Sequence, residues 1–198
     1  MIENKKAFIF IGPSGSGKGT QLDLLETYLK EKDHREILRY EAGASLREFA
    51  KGDSFMAKKV HHTINVEGGL LPRFIMVWNW GRRLALELKE DMNLILEGSP
   101  RKVEEKKLID DALQYADYKD IYVIHLNLSD DVAVGRLMSR GRIDDQEEKI
   151  RNRLKWFREE VAQTVEEFKN DDRYIYCEID GDQSIEKVQE DIIKALGV

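Results

Sequence analysis

The chain has 198 residues, 41% apolar and 35% charged, with one cysteine and a formal net charge of −6. That length suits one domain with a sizeable core, and the acidic balance argues against a general binder of nucleic acid or membrane surfaces. Cys177, as the lone cysteine, excludes an intrachain disulfide and is expected as a buried thiol. With a charged start from Met1 to Lys6 and no apolar stretch of bilayer length, the expectation is a cytoplasmic protein without a signal peptide or a membrane span.

The apolar run from Ala7 to Ile11 predicts a strand, and Gln21-Leu22-Asp23-Leu24-Leu25 predicts a helix. Between them lies Gly12-Pro13-Ser14-Gly15-Ser16-Gly17-Lys18-Gly19-Thr20. Strand, glycine-rich loop and helix together form a phosphate-binding P-loop, here with Gly19 between the lysine and Thr20. Gly15, Gly17 and Gly19 are expected to let the backbone curl with its N–H groups inward. The helix start adds unsatisfied N–H groups and a positive dipole end. Lys18 is expected as a mobile surface charge, so that Lys18→Ala abolishes function with little loss of fold.

A strand is predicted from Ile37 to Tyr40 and a polar helix from Ser45 to Lys51, broken at Gly52-Asp53-Ser54. A further helix runs from Phe55 to Val66 and stops at Gly68-Gly69. Pro72 suits the first turn of the next helix, which reaches about Asp91 with Val77, Trp80, Leu84 and Leu88 facing inward. Asn93 to Glu97 reads as a buried strand ending in a carboxylate, then Gly98-Ser99-Pro100-Arg101 as a loop and Val103 to Tyr115 as a helix.

Ile121 to Leu128 is the next strand, and Ser129 is a good N-cap for a helix from Asp130 to Arg140. After the short connector Gly141-Arg142-Ile143-Asp144-Asp145, a long helix begins near Gln146 with Ile150, Leu154, Phe157, Val161, Val165 and Phe168 as its stripe. Tyr174 to Ile179 is the last strand. Gly181-Asp182-Gln183-Ser184 turns into a final helix with Ile185, Val188, Ile192 and Leu196 inward. Alternating strands and helices predict an α/β fold, an open parallel sheet with helices on both faces, as one domain over residues 1–198. Residues 41–71 hold helices but no strand and read as a small inserted helical subdomain. His61 and His62 are adjacent and diverge on a helix, so they make no metal pair, and His125 reads as strand packing.

Arg47, Arg101, Arg136, Arg140, Arg142 and Arg153 fall at or beside loop and helix-end positions, several near the carboxyl ends of strands where open sheets bind ligands. Arginine keeps its charge, and its planar fork matches phosphate oxygens. A ring of fixed cations beside a phosphate cradle suits a reaction that presses two polyanions together.

Taken jointly, these residues resemble the adenylate kinase and nucleoside monophosphate kinase family over nearly the whole chain. Gly15-Ser16-Gly17-Lys18-Gly19-Thr20-Gln21 is similar to its GxPGxGKGTQ, and Gly43 with Leu46-Arg47 to the tail of its TGDLLR. Gly69-Leu70-Leu71-Pro72 resembles G-x-L-V-P, and Glu97-Gly98-Ser99-Pro100-Arg101 resembles DGFPR. Arg136-Leu137-Met138-Ser139-Arg140 resembles RLxxR, while Arg142-Ile143-Asp144-Asp145 and Arg153-Leu154 resemble RxDD and the downstream RL.

The resemblance implies a P-loop kinase that moves the γ-phosphoryl of ATP onto a nucleoside monophosphate, with Mg²⁺, and the chain is expected to be a monomer. It implies ATP binding by Gly15 to Thr20 with Lys18, Arg136, Arg140 and Gln183. Acceptor binding would fall to Ala42, Gly43, Arg47, Gly69, Leu70, Leu71, Gly98, Arg101 and Glu105. Lys18, Arg101, Arg140, Arg142 and Arg153 would surround the transferring group, and Glu97 would hold Mg²⁺ through water. Asp144 and Asp145 would act in a very short, cysteine-free lid at 139–146. Ala42, Ala44, Ser99 and Glu105 depart from the family pattern. AMP is the favoured acceptor, with UMP or CMP as the competitor that Ala42 suggests. A second reading is an ATP-binding regulatory or assembly protein with a decayed acceptor site.

Overall fold

A computed structural model describes residues 4–141 and 146–197. Five parallel strands form one sheet: β1 (Lys6–Ile11), β2 (Glu36–Glu41), β3 (Met92–Glu97), β4 (Asp120–Asn127) and β5 (Ile175–Asp180), in the spatial order β2-β3-β1-β4-β5. The central strand β1 is buried along its whole length, whereas the edge strand β5 alternates, as burial from both sides demands at the centre and not at the rim. Ala7, Ile9 and Ile11 face one apolar layer, and Phe8 and Phe10 face the other. The α/β class read from the sequence, with helices on both faces, is the observed one.

On the Phe8/Phe10 side pack α1 (Lys18–Lys32) and, at the far end of the chain, α9 (Ile185–Leu196). Helix α1 starts at Lys18, three residues before the expected start at Gln21. In α9, Val188, Ile192 and Leu196 are buried, but Ile185, the first residue of the helix, is half exposed.

The other layer carries α2 (Ala42–Phe49), α3 (Phe55–His61), α4 (Arg73–Glu87) and α5 (Val103–Tyr115). Ser54 caps α3, its hydroxyl accepting from the Ala57 N–H. The helix expected through Val66 widens after His61 into a π-helical segment, His62–Glu67, and ends at Gly68 with φ of 64°. Pro72 precedes α4 as its cap residue instead of joining its first turn, and Leu88 is already extended. Trp80 is core, as its spacing predicts, while Trp78 stays partly exposed with its ring edge-on to Phe49 at 5.0 Å.

Helices α6 (Asp130–Arg140), α7 (Glu147–Trp156) and α8 (Ala162–Lys169) complete the fold, the last two joined by a second π-helical segment, Phe157–Val161. Ser129 precedes α6 but makes no capping bond; its hydroxyl reaches Asp182 Oδ2 at 3.5 Å instead. Cys177 is buried, which pushes its thiol pKa up. His125 packs against β5, with Nδ1 2.8 Å from the Tyr176 hydroxyl. Among the described residues no helix is long and apolar enough to cross a membrane.

Candidate functional site

The carboxyl ends of β1, β2 and β3 open into a cleft of about 720 Å³. Its floor at one end is the loop between β1 and α1. Gly15 and Gly17 take φ of 87° and 89°, which swings the loop around with little steric penalty for a residue lacking Cβ. Gly12 answers a different need: a Cβ there would sit 2.6 Å from the Leu126 carbonyl oxygen. Gly19 does not bend the chain as expected. It lies in the first turn of α1 with open space beside it, on the cleft side.

Lys18 is not the surface charge its loop position suggests. Its side chain is 11% exposed. Nζ donates to the carbonyls of Gly12 (2.8 Å) and Pro13 (2.9 Å), approaches Ser16 Oγ at 3.4 Å, and lies 3.7 Å from Glu97 Oε1. Burial pulls its pKa below the usual lysine range; Glu97 opposes that, and the nearby guanidinium groups of Arg101 and Arg140 add to it. Lys18, Glu97, Arg101 and Arg140 therefore share one electrostatic environment, although the sequence separates them by up to 122 positions.

Arg101 lines the same cleft. Its backbone N–H donates to Glu105 Oε2 (2.8 Å), and Nε donates to the Gly98 carbonyl (2.9 Å). Its guanidinium lies over the Trp156 ring, 5.4 Å from the centroid. Arg47 rises one helical turn from Gly43, where a Cβ would meet its Nη1 at 3.2 Å. Gly43, Arg47, Gly69, Leu71, Gly98 and Arg101 line one end of the cleft; Gly15, Gly17, Lys18, Gly19, Thr20, Arg136, Arg140 and Arg153 line the rest, with Glu97 between.

Five expected site residues do not line it. Ser16 is buried beneath the loop, Ala42 and Glu105 are buried behind the wall, and Leu70 is not among the lining residues. Gln183 spends its side chain on the Asp180 carbonyl (3.0 Å) and Asp191 (3.2 Å). Arg136 donates to the carbonyls of Gly181 (2.9 Å) and Gln183 (3.4 Å), so it ties α6 to the last loop. Gln21, from α1, holds the start of α9 just beyond that loop, donating to the Ile185 carbonyl at 2.9 Å. Arg142, Asp144 and Asp145 lie outside the described residues.

The cleft also contains residues the sequence reading passed over: Asp23, Arg39, Glu41 and Trp156. Arg39 contacts Asp23 (2.6 Å), Glu26 (3.0 Å) and Glu41 (3.0 Å), a cluster that cancels its charge locally. Glu41 ends β2 directly opposite Glu97 in the sheet register, a neighbour relation that appears only once the strand order is known.

Residues 10–173 match the family described as adenylate kinase. Adenylate kinase 1 of Nostoc is 34% identical over 96% of this chain and 97% of its own length. The adenylate kinase of Prochlorococcus marinus strain MIT 9515 is 32% identical over 90% of this chain and 92% of its own. That of Corynebacterium urealyticum is 31% identical over 95% and 97%. With a P-loop on a parallel sheet, a lysine buried among its carbonyls, and arginines across one cleft, the chain belongs to the adenylate kinase family of ATP-dependent nucleoside monophosphate kinases.

Proposed function

We propose that this chain transfers the γ-phosphoryl group of ATP to AMP. The observation that carries the reading is the sharing of one cleft by the P-loop, Lys18 and Arg101, with arginines at both ends. The names of the relatives above support AMP as acceptor. In this reading the loop amides and Lys18 hold the ATP phosphates, and Lys18 exchanges its carbonyl partners for phosphate oxygens. Arg47 and Arg101 grip the acceptor phosphate, and Arg140 and Arg153 stand beside the group in transit; the sequence motif assigns Arg142, Asp144 and Asp145 to the same region.

An acceptor phosphate oxygen attacks the γ-phosphorus as the bond to the β–γ bridging oxygen breaks. The products are two nucleoside diphosphates. The attacking oxygen is already an anion, so no general base is required, and positioning with charge neutralisation accounts for the rate. The helical stretch 41–71 and the short lid 139–146 would keep water out during transfer.

Mg²⁺ fits the donors available. Glu97 and Thr20 offer hard oxygens at the cleft, and Mg²⁺ keeps most of its water and needs only one or two protein ligands. When bound, it would neutralise charge on the ATP phosphates, with Glu97 holding it through water. The chain acts as a monomer in this reading.

A coupled assay with ATP against AMP, UMP, CMP and GMP tests it. The expected result is a kcat/KM for AMP at least tenfold above the others. The buried Ala42, where a threonine hydroxyl would stand in the family pattern, favours UMP or CMP as the alternative, and preference for either would overturn the AMP assignment. Tight ATP binding with no turnover on any monophosphate would instead support a regulatory or assembly protein.

A further inference from the structure

Trp156 is the last residue of α7, half-buried, with its indole between two parts of the acceptor end of the cleft. One ring face carries the Arg101 guanidinium at 5.4 Å. The ring N–H donates to the Gly68 carbonyl at 3.3 Å. Gly68 closes the π-helical segment His62–Glu67 and, with Gly69 and Leu71, walls this end. A second tie holds the same segment: Lys149 Nζ donates to the Asn65 carbonyl at 2.7 Å. Packing adds a third, since a Cβ on Gly68 would lie 3.3 Å from Lys149 Cβ. Helix α7 thus fixes the wall at several points, and Trp156 is the side chain that joins the wall to Arg101.

We infer that Trp156 is a positioning residue for acceptor binding: it sets the plane of the Arg101 guanidinium and its distance from the Gly68–Leu71 wall. The inference rests on the kinase reading above. The chemistry follows from the guanidinium's shape. Two-point binding of a phosphate needs the planar fork aimed as well as nearby. The Gly98 carbonyl anchors Nε, which leaves rotation about that bond, and the Trp156 ring lying against the guanidinium restricts it. The N–H bond transmits the same reference point to the backbone that would meet the acceptor's base. A wide turn, Phe157–Val161, follows Trp156 at once, as such turns often do at functional sites.

The experiment uses the full chain and three variants: Trp156→Leu, Trp156→Phe and Arg101→Lys, the last also combined with Trp156→Leu. The tightest-bound of AMP, UMP and CMP is titrated calorimetrically, and KM for ATP and for that acceptor is measured beside kcat. Loss of a cation–π contact and a neutral hydrogen bond predicts about a tenfold rise in acceptor Kd for Trp156→Leu. Trp156→Phe keeps a ring face and loses only the N–H, so the rise is about threefold. ATP KM stays at the wild-type value. Arg101→Lys, which keeps charge but loses the plane, weakens the acceptor less in the Trp156→Leu background than in the wild type.

A wild-type acceptor Kd in Trp156→Leu overturns the inference. So do equal rises for acceptor and ATP, which mean general loosening, or multiplicative effects with Arg101→Lys. A wild-type chain that binds a monophosphate without turnover overturns the transfer reading alone, and the Kd ratios still decide this inference. One that binds no monophosphate overturns both.

Discussion

Replacing Lys18 with methionine separates what the residue does for the fold from what it does for the chemistry. The methionine keeps an apolar stem of similar length and removes the ammonium. On the fold side the losses are small. The Pro13 carbonyl keeps its bond from the Ser16 N–H at 3.2 Å, so the Gly12 carbonyl is the acceptor that gives up the close donor, about 1 kcal/mol. Against this, a cation held below its ordinary pKa by burial and by Arg101 and Arg140 is leaving a place that disfavours it. The two effects oppose, and since about 1 kcal/mol moves the Tm of a chain this size by roughly 2–4 °C, the variant should melt within about 4 °C of wild type. On the chemical side nothing compensates. A lost cation at the transferring phosphates should lower kcat/KM by about 10³, or ~4 kcal/mol. Thermal unfolding without nucleotide and a coupled kinase assay read the two sides. Stability also depends on pH through Lys18. A lysine with a lowered folded pKa destabilises the fold in full below that pKa, and the penalty disappears as pH rises from it towards 10.5. The wild type should therefore gain on Lys18→Met across that window. A Tm drop above 10 °C with near wild-type turnover would refute the reasoning.

Arg101→Ala should raise acceptor KM at least tenfold and also lower kcat, with ATP KM unchanged, in the same assay; wild-type kinetics would remove it from the acceptor site. Gly12→Ala forces a Cβ to within 2.6 Å of a backbone oxygen and should lose about 2 kcal/mol in denaturant unfolding. Gly19→Ala meets nothing within 4 Å and should fold as well as wild type while its methyl weakens ATP binding. Lys106, 4% exposed, binds Asp110 (3.1 Å) and Asp171 (2.7 Å) beneath the Phe168 and Tyr174 rings, so Lys106→Ala should cost about 3 kcal/mol in urea titration. In the same cluster Arg173, then Lys106, hold Asp171 well below its usual 3.8. Its stabilisation is present above that value and is lost as pH falls through the folded pKa, so the margin of wild type over Asp171→Asn should narrow below about pH 4.

The parts of the site that were legible in the sequence are those whose geometry is local. The loop Gly12 to Thr20 carries its own instructions, because positive φ at Gly15 and Gly17 and the start of α1 depend on neighbours in the chain. The same holds for α5 and α6, which run over the residues their periodicity marks. Errors arise where a distant partner competes with a local preference. Ser129 reaches Asp182, 53 positions further along the chain, and makes no capping bond to its own helix. The acidic cluster around Arg39 could not be read at all, since Asp23, Glu26 and Glu41 come from two elements that meet only in the fold.

By itself, then, the order of residues predicted a parallel sheet with helices on both faces and a glycine-rich turn between its first strand and first helix. Hydrophobic period and glycine placement act over one or two turns of chain, and so they survive as text. Tertiary structure alone decided that Lys18 is buried beside Glu97, that Arg101 lies on Trp156, and that Glu105 and Ala42 stand behind the wall. Those facts depend on strand order and on helices that arrive from far along the chain, and burial and charge act through space.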